Sequence, residues 1–395
     1  TWKCSDRMVL LSLRHGISPE SGPAFASLGL SEAYCWNIKN AYRMGQLSAI
    51  ALERFRHDKN GRVNAMVLSQ VACFHYVQPI YCSIAVFETA FCEGSAAGEA
   101  KSMIEAAGWY MNMSIITGVF LPTLETHMRS IGTGLARLYK DRSFEMMVLP
   151  QWQYALNMID CIGGDPIDLT GEVMNEGIFL KYSKEYESFG IMPIYYALKV
   201  QLSVHFGRFQ DTTNECIKHL SLKKHQRDET SLYWHICVYQ IRLYVGISMI
   251  QMSKGIPGRY MTKARKLIRQ SWHQMKKDNP NATLVYHILQ AVYLSGKHTK
   301  RRKKKNEVYQ LFTKAIELAE NHQFYTALGL ACEYAAYYAN SVGDAQKASI
   351  YSLAALEVYQ NQMGAYTLVE HLETKFEFLG ISLARPKENG QVTAP

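Results

Sequence analysis

Three consecutive segments toward the end of the sequence carry one and the same apolar period. Val308, Phe312, Ala315, Ile316 and Ala319 fall at i, i+4, i+7, i+8 and i+11, which is one face of an α-helix. Ala327, Leu330, Ala331, Tyr334, Ala335 and Tyr338 repeat the pattern, and Ala348, Tyr351, Ala355, Val358 and Tyr359 repeat it again. The connections are short: NHQF from Asn321, SVGD from Ser341, NQMG from Asn361. Amphipathic helices joined by such tight turns pack as antiparallel neighbours.

The segments are also related to one another. AIELAENH from Ala315 aligns with ALEVYQNQ from Ala355 at an offset of 40 residues, Glu317 and Asn321 recurring as Glu357 and Asn361. A period of that size is one helix–turn–helix unit, the scale of solenoid repeats. Gly343, Ala348 and Ala355 supply small side chains where paired helices approach closely, and HFGRFQD at 205–211 is a weaker echo. Upstream, the same period predicts helices near 5–15, 19–35, 37–55, 62–76, 79–93, 97–117, 120–139, 142–160, 172–187, 190–206, 229–253, 260–277 and 283–295. No segment alternates with period two as a strand would. The fold class expected is all-α: an α-solenoid of about sixteen helices in stacked antiparallel pairs, each touching only its neighbours. It divides into a helical array over 1–296, a basic insertion over 297–306, tetratricopeptide-like repeats over 307–380 and a disordered polar tail over 381–395.

Composition agrees with a helical protein. The 395 residues include only 11 prolines, against about 5% in average usage, and 48% are hydrophobic. No apolar run approaches the roughly 18 residues of a membrane span. Nine cysteines, none in a CxxC pair, lie mostly in apolar helical patterns and read as buried thiols of a reducing compartment. Localisation is therefore expected to be intracellular and cytoplasmic. The sequence opens on Thr1 without a secretory leader, as expected of a piece of a longer polypeptide.

The net charge of +9 is concentrated. Lys297, Lys300, Arg301, Arg302, Lys303, Lys304 and Lys305 form a run without an acid, and the remaining 36 basic residues face 34 acidic ones. The run reads as a solvated insertion; functionally it would be a nuclear-localisation or anion-binding patch. With one hot spot and no cationic stripe, nucleic acid is not the expected partner.

Motifs for chemistry are missing. Gly296-Lys297 lacks the rest of a phosphate loop, Gly132-Thr133-Gly134 has Arg137 where a dinucleotide fingerprint needs glycine, and neither HExxH nor GxSxG occurs. Asp160, Asp165 and Asp168 around GGDP read as turn and cap residues, and His235 and His287 as hydrogen-bonded core histidines. Tyr334, Tyr338 and Tyr351 read as helix packing. No catalytic, cofactor-binding or metal-binding residue is nominated, and no cofactor is expected.

LRHGISPESGPAFASLGL at 13–30 with the following NAYRMGQLSAIALERF, KKDNPNATLVYHILQAVYL at 276–294, and above all 311–376 resemble a known region. It is the tetratricopeptide-like helical region of large signalling proteins that combine a STAND/AAA-type predicted ATPase with a serine/threonine kinase-like domain, often with sensor-kinase or cyclase domains. The resemblance covers the chain to about residue 380. It implies a non-catalytic regulatory or interaction arm, whose partners are a protein, a peptide or neighbouring domains of the same polypeptide. A stand-alone tetratricopeptide adaptor, and a nuclear nucleic-acid-associated protein acting through 297–305, are the alternatives.

Overall fold

A computed structural model describes the chain except residues 1, 36, 60, 139–141, 162, 186–191, 221–230, 254–257, 297–301 and 384–395. Residues 2–3, 134–138, 142–145, 184–185, 211, 218–220, 231–236, 259 and 302–304 are described as backbone only. Among the described residues there are eighteen α-helices and no strand. In order they are α1 Trp2–His15, α2 Ser21–Tyr34, α3 Ile38–Arg54, α4 Arg62–Ala72, α5 Ile84–Ala97, α6 Ala100–Thr117, α7 Leu121–Leu138, α8 Arg142–Ile159 and α9 Glu176–Glu185. The second half holds α10 Met192–His205, α11 Gln210–Leu220, α12 Ser231–Met252, α13 Arg259–Met275, α14 Pro280–Ser295, α15 Arg302–Asn321, α16 Tyr325–Ser341, α17 Ala345–Glu357 and α18 Tyr366–Phe378. Short 3₁₀ turns occupy Phe74–Tyr76 and Ile80–Ser83, and a π turn occupies Val358–Gln362.

The all-α class and the sequential stacking of helix pairs are as the periodicity predicts. Consecutive helices pack on one another along most of the chain, as in α2–α3, α5–α6, α7–α8, α13–α14 and α16–α17. The predicted faces point inward: Val308, Phe312, Ala315, Ala319, all six residues of the second face, Ala348, Ala355 and Tyr359 are buried. Two helices escaped the sequence reading: α11 (QDTTNECIKHL), whose polar composition hides its apolar side, and α18 (YTLVEHLETKFEF).

The stacking is not restricted to neighbours. α4 packs on α12, α6 on α16 and α8 on α18, so the first row of helices lies against the second. Helices inside such a double layer need apolar residues all round. α6 buries every residue from Ala106 to Thr117, and α10 buries every residue but Tyr196. The two rows share a single core, from Val63 in α4 to Ile381. Polar clamps fasten them. Asn281, at the start of α14, donates to the carbonyls of His75 and Gln78 at 2.7 and 2.9 Å and accepts from the Ile80 amide at 3.1 Å. The Leu121 amide donates to Met363 O at 2.7 Å, the Cys161 amide to Thr367 Oγ1 at 3.1 Å, and Thr326 Oγ1 to Ile116 O. Gly118 (φ +85°) sits where a Cβ would run into the Thr326 backbone, at 2.7 Å from its nitrogen.

α1–α3 stand apart from this core. Their apolar residues form two small clusters, one around Val9, Phe25 and Ala51, the other around Ala33, Ala41, Cys73 and Tyr76. Cys73, Cys216, Cys237 and Cys332 are buried, as the sequence predicts, whereas Cys4 in α1, Cys35 just past α2, Cys82 in the second 3₁₀ turn and Cys92 in α5 are exposed. No helix among the described residues is long and apolar enough to cross a membrane.

Candidate functional site

The basic run is only partly described. Lys297, Lys300 and Arg301 lie outside the described residues, as does the tail from 384. Helix α15 starts at Arg302, four residues before the start expected from sequence, so Arg302, Lys303, Lys304 and Lys305 belong to its first turn and not to a loop. Lys305 is half-buried and its Nζ donates to the carbonyl of Val342 at 3.3 Å.

Beside the described ends of this run lies a cavity of about 550 Å³. Ser295, Gly296 and Ser341 line it together with Tyr334, Tyr337, Tyr338 and Lys375. Tyr334 and Tyr338, expected to serve packing alone, thus also form a cavity wall. Behind two of its wall residues, Tyr337 and Lys375, sits a buried acid. Glu333 is only 1% exposed; its carboxylate accepts from Tyr337 OH at 2.7 Å and Tyr359 OH at 3.3 Å and faces Lys375 Nζ at 3.6 Å. Desolvation raises the Glu333 pKa, against the pull of Lys375 and the two phenols. Below it, His205 is fully buried between the rings of Tyr244 and Tyr359, and its Nδ1 has no hydrogen-bond partner among the described residues. Burial, reinforced by Lys375 and His371, depresses its pKa to about 3.

The acids around GGDP act on their own turn. Asp165 Oδ1 accepts from the Ile167 amide at 3.0 Å, and Asp168 Oδ1 from the Thr170 amide at 3.0 Å, while Arg208 pairs with Asp165 at 2.5 Å. His287 departs from its expected role: it is half-buried with Nδ1 unpartnered among the described residues. His235 lies outside the described side chains.

Positive charge extends well beyond the run. Between Lys254 and Lys305 the sequence holds 15 Lys/Arg and one acid, Asp278, leaving 28 Lys/Arg against 33 Asp/Glu elsewhere. The signal was legible as an absence of acids, but the density of 297–305 drew attention from it. In the structure these charges organise α13. Arg265, Lys266, Arg269, Lys276 and Lys277 are exposed, and no ion pair among the described residues involves them. Between α13 and α14 runs an open groove of about 470 Å³, lined by Arg265, Arg269, Trp272, His273, Tyr286 and Tyr293, with Ile268 at its base. Arg265 donates to Tyr293 OH at 2.9 Å, and Lys276 Nζ lies 5.5 Å from the Trp272 ring centre.

No family model matches the chain, and no curated protein matches it. The resemblance to the helical region of STAND-type signalling proteins therefore rests on the residues quoted for it.

Proposed function

We propose that the chain is a protein-interaction scaffold, non-catalytic in itself, that serves as the tetratricopeptide-like arm of a larger STAND ATPase/kinase signalling protein and docks an acidic polypeptide segment on the outside of α13 and α14. The observation that carries this reading is the cationic face of α13: five exposed Lys/Arg side chains in no ion pair among the described residues, beside an aromatic groove. Solenoids ordinarily bind partners along the concave side. Here the inner sides of the two rows cover each other, which leaves the outer faces for partners. An acidic segment with apolar side chains suits the groove, because Ile268, Tyr286, Tyr293 and Trp272 offer apolar area between the charges. Nucleic acid is less well served: the described cations follow one helix about 25 Å long and no stripe across several elements.

The direct test compares an acidic, leucine-containing 15-residue peptide with a single-stranded RNA of equal charge by fluorescence anisotropy. The peptide is expected to bind, more weakly as salt rises, and Arg269→Glu/Lys276→Glu is expected to lower its affinity by about tenfold or more. Tighter binding of the RNA, or binding unchanged in the double variant, overturns the assignment. For the parent protein, the arm is expected to hold the ATPase inactive; nucleotide turnover unaffected by deleting it would remove that part of the proposal. An endogenous polypeptide well above 100 kDa, detected with an antibody to 311–376, is the expected context, and a 45 kDa band would favour a stand-alone adaptor.

A further inference from the structure

On the opposite side of α13 from the aromatic groove, a second cavity of about 450 Å³ lies between the start of α3, the chain after the first 3₁₀ turn, and the α13–α14 connection. Its walls are Asn37, Ile38, Lys39, Tyr42, Tyr76, Val77, Gln274, Lys277 and Asn279, with two lysines and no carboxylate. Behind Gln274 sits a third cation: Arg242 of α12 donates from Nη1 to Gln274 Oε1 at 2.6 Å, with Tyr76 and Tyr239 beside its guanidinium. No ion pair among the described residues involves Lys39, Lys277 or Arg242. A desolvated guanidinium without a counter-charge is costly, and an anion in the adjoining space offsets that cost. Desolvation lowers the Arg242 pKa, consistent with a cation held away from water and from acids.

The first turn of α3 forms one wall of the same cavity. Asn37 is its N-cap residue, yet its side chain makes no cap hydrogen bond and donates to Glu32 Oε2 at 2.6 Å. Glu32, held by Asn37, is the carboxylate nearest this end of α3 and is not part of the cavity wall, so the charge facing the cavity is that of the two lysines. Tyr42, Tyr76, Ile38 and Val77 supply flat and apolar surface around the charges.

The geometry points to a binding site for a phosphate-bearing aromatic molecule of mononucleotide size, its anion held by Lys39 and Lys277 with Arg242 behind them and its ring laid against Tyr42 and Tyr76. The volume falls in the range of small-molecule sites, about 300–1,000 Å³. The position gives such a ligand a structural consequence. α1–α3 have their own small cores and reach the rest of the molecule chiefly through α4 and the 3₁₀ turn after it. A ligand spanning α3 and α13 ties this N-terminal unit to the double row. The site lies across α13 from the groove of the docking surface proposed above and shares with that surface only Lys277, which the acidic-peptide test leaves unsubstituted.

Calorimetric titration of the whole chain tests it, with adenosine 5′-monophosphate and uncharged adenosine as probes. The nucleotide is expected to bind at least tenfold more tightly than the nucleoside, and Lys39→Ala/Lys277→Ala to weaken it by about tenfold or more. Both lysines are exposed, so the variant leaves the core intact, which its unchanged melting temperature without ligand would confirm. Amide exchange in α2 and α3 is expected to slow on binding. No heat with millimolar nucleotide, equal affinity for adenosine, or affinity unchanged in the double variant overturns the proposal.

Discussion

His205 illustrates how burial writes pH dependence into a single residue. Its imidazole sits where the end of α10 meets α12 and the π turn, enclosed by Tyr244 and Tyr359, and stays neutral until about pH 3. In the unfolded chain a histidine takes up its proton near the ordinary value of about 6.5. Between those two values the unfolded state binds one more proton, so stability is fully present above pH 6.5 and is lost as the pH falls toward 3. The slope approaches about 1.4 kcal/mol per pH unit, so this group alone costs about 2 kcal/mol at pH 5. Glu333, raised by desolvation, works in the opposite sense, since its protonation favours the folded state as the pH falls. Comparing urea unfolding of the wild type and His205→Gln at pH 7.5 and 5.0 isolates the histidine: the variant is expected to lose about 2 kcal/mol less across that interval. Equal losses would mean that His205 titrates normally in the fold. Sequence alone marked neither residue. Nothing local distinguishes a histidine at a helix end or a glutamate inside LACEYAAYY from an exposed one, because their surroundings come from other elements: Tyr244 and Tyr359 around His205, Tyr359 and Lys375 around Glu333.

At the scale of the element, most of the architecture was legible. The 3.6-residue period located sixteen of the eighteen described helices, since an amphipathic or wholly apolar helix needs little context to be recognised. It failed where the period continues but the backbone departs from it. ALEVYQNQ repeats AIELAENH in sequence, yet Val358–Gln362 forms a π turn where Leu318–His322 finishes as an α-helix and a turn. The wider turn sets Tyr359 against α16: its ring contacts Gly329, and its hydroxyl donates to Glu333 Oε2 at 3.3 Å. A Cβ at Gly329 would run into that ring. Two effects then compete in Gly329→Ala. The helix gains up to about 1 kcal/mol of propensity, while overpacking a filled core costs about 1–3 kcal/mol. The clash is expected to win, because Tyr359 is fully buried and tied to Glu333, giving a net loss of about 1–2 kcal/mol in chemical denaturation. A neutral or stabilising outcome would show that the π turn yields to α17 at little cost.

For the whole molecule, the sequence pointed to a ladder of neighbours and the structure is a ladder folded back on itself. The reason for the difference is physical. A continuous apolar surface states that a helix is covered, but not by which other helix, and α6 or α12 reads the same whether its second face meets the next repeat or a row 200 residues distant. The information that closes the array lies in a few polar residues whose partners are backbone groups far along the chain. Asn281 is the clearest of these, fully buried, with three hydrogen bonds to residues 75–80. Its amide also explains why a polar side chain occupies the interior start of an otherwise apolar helix (PNATLVYHILQAVYLS). Asn281→Ala leaves the buried His75 carbonyl, the part-buried Gln78 carbonyl and the Ile80 amide without this partner, at about 1–3 kcal/mol each where water cannot reach them. The total loss is expected to be about 3–6 kcal/mol, part of it recovered as the turn at 75–80 shifts. Where the loss is felt distinguishes the two architectures. In a neighbour-only solenoid, amide exchange would quicken around α14 and leave α18 unchanged, because repeats far from the lesion keep their own stability. In the closed array α18 lies on α8 and shares one core with α4 and α14, so exchange at Leu372 in α18 and Val67 in α4 is expected to quicken together. Retained protection at Leu372, with loss confined to α13–α15, would show that the rows fold independently and that their contact is a weak docking of two separate solenoids.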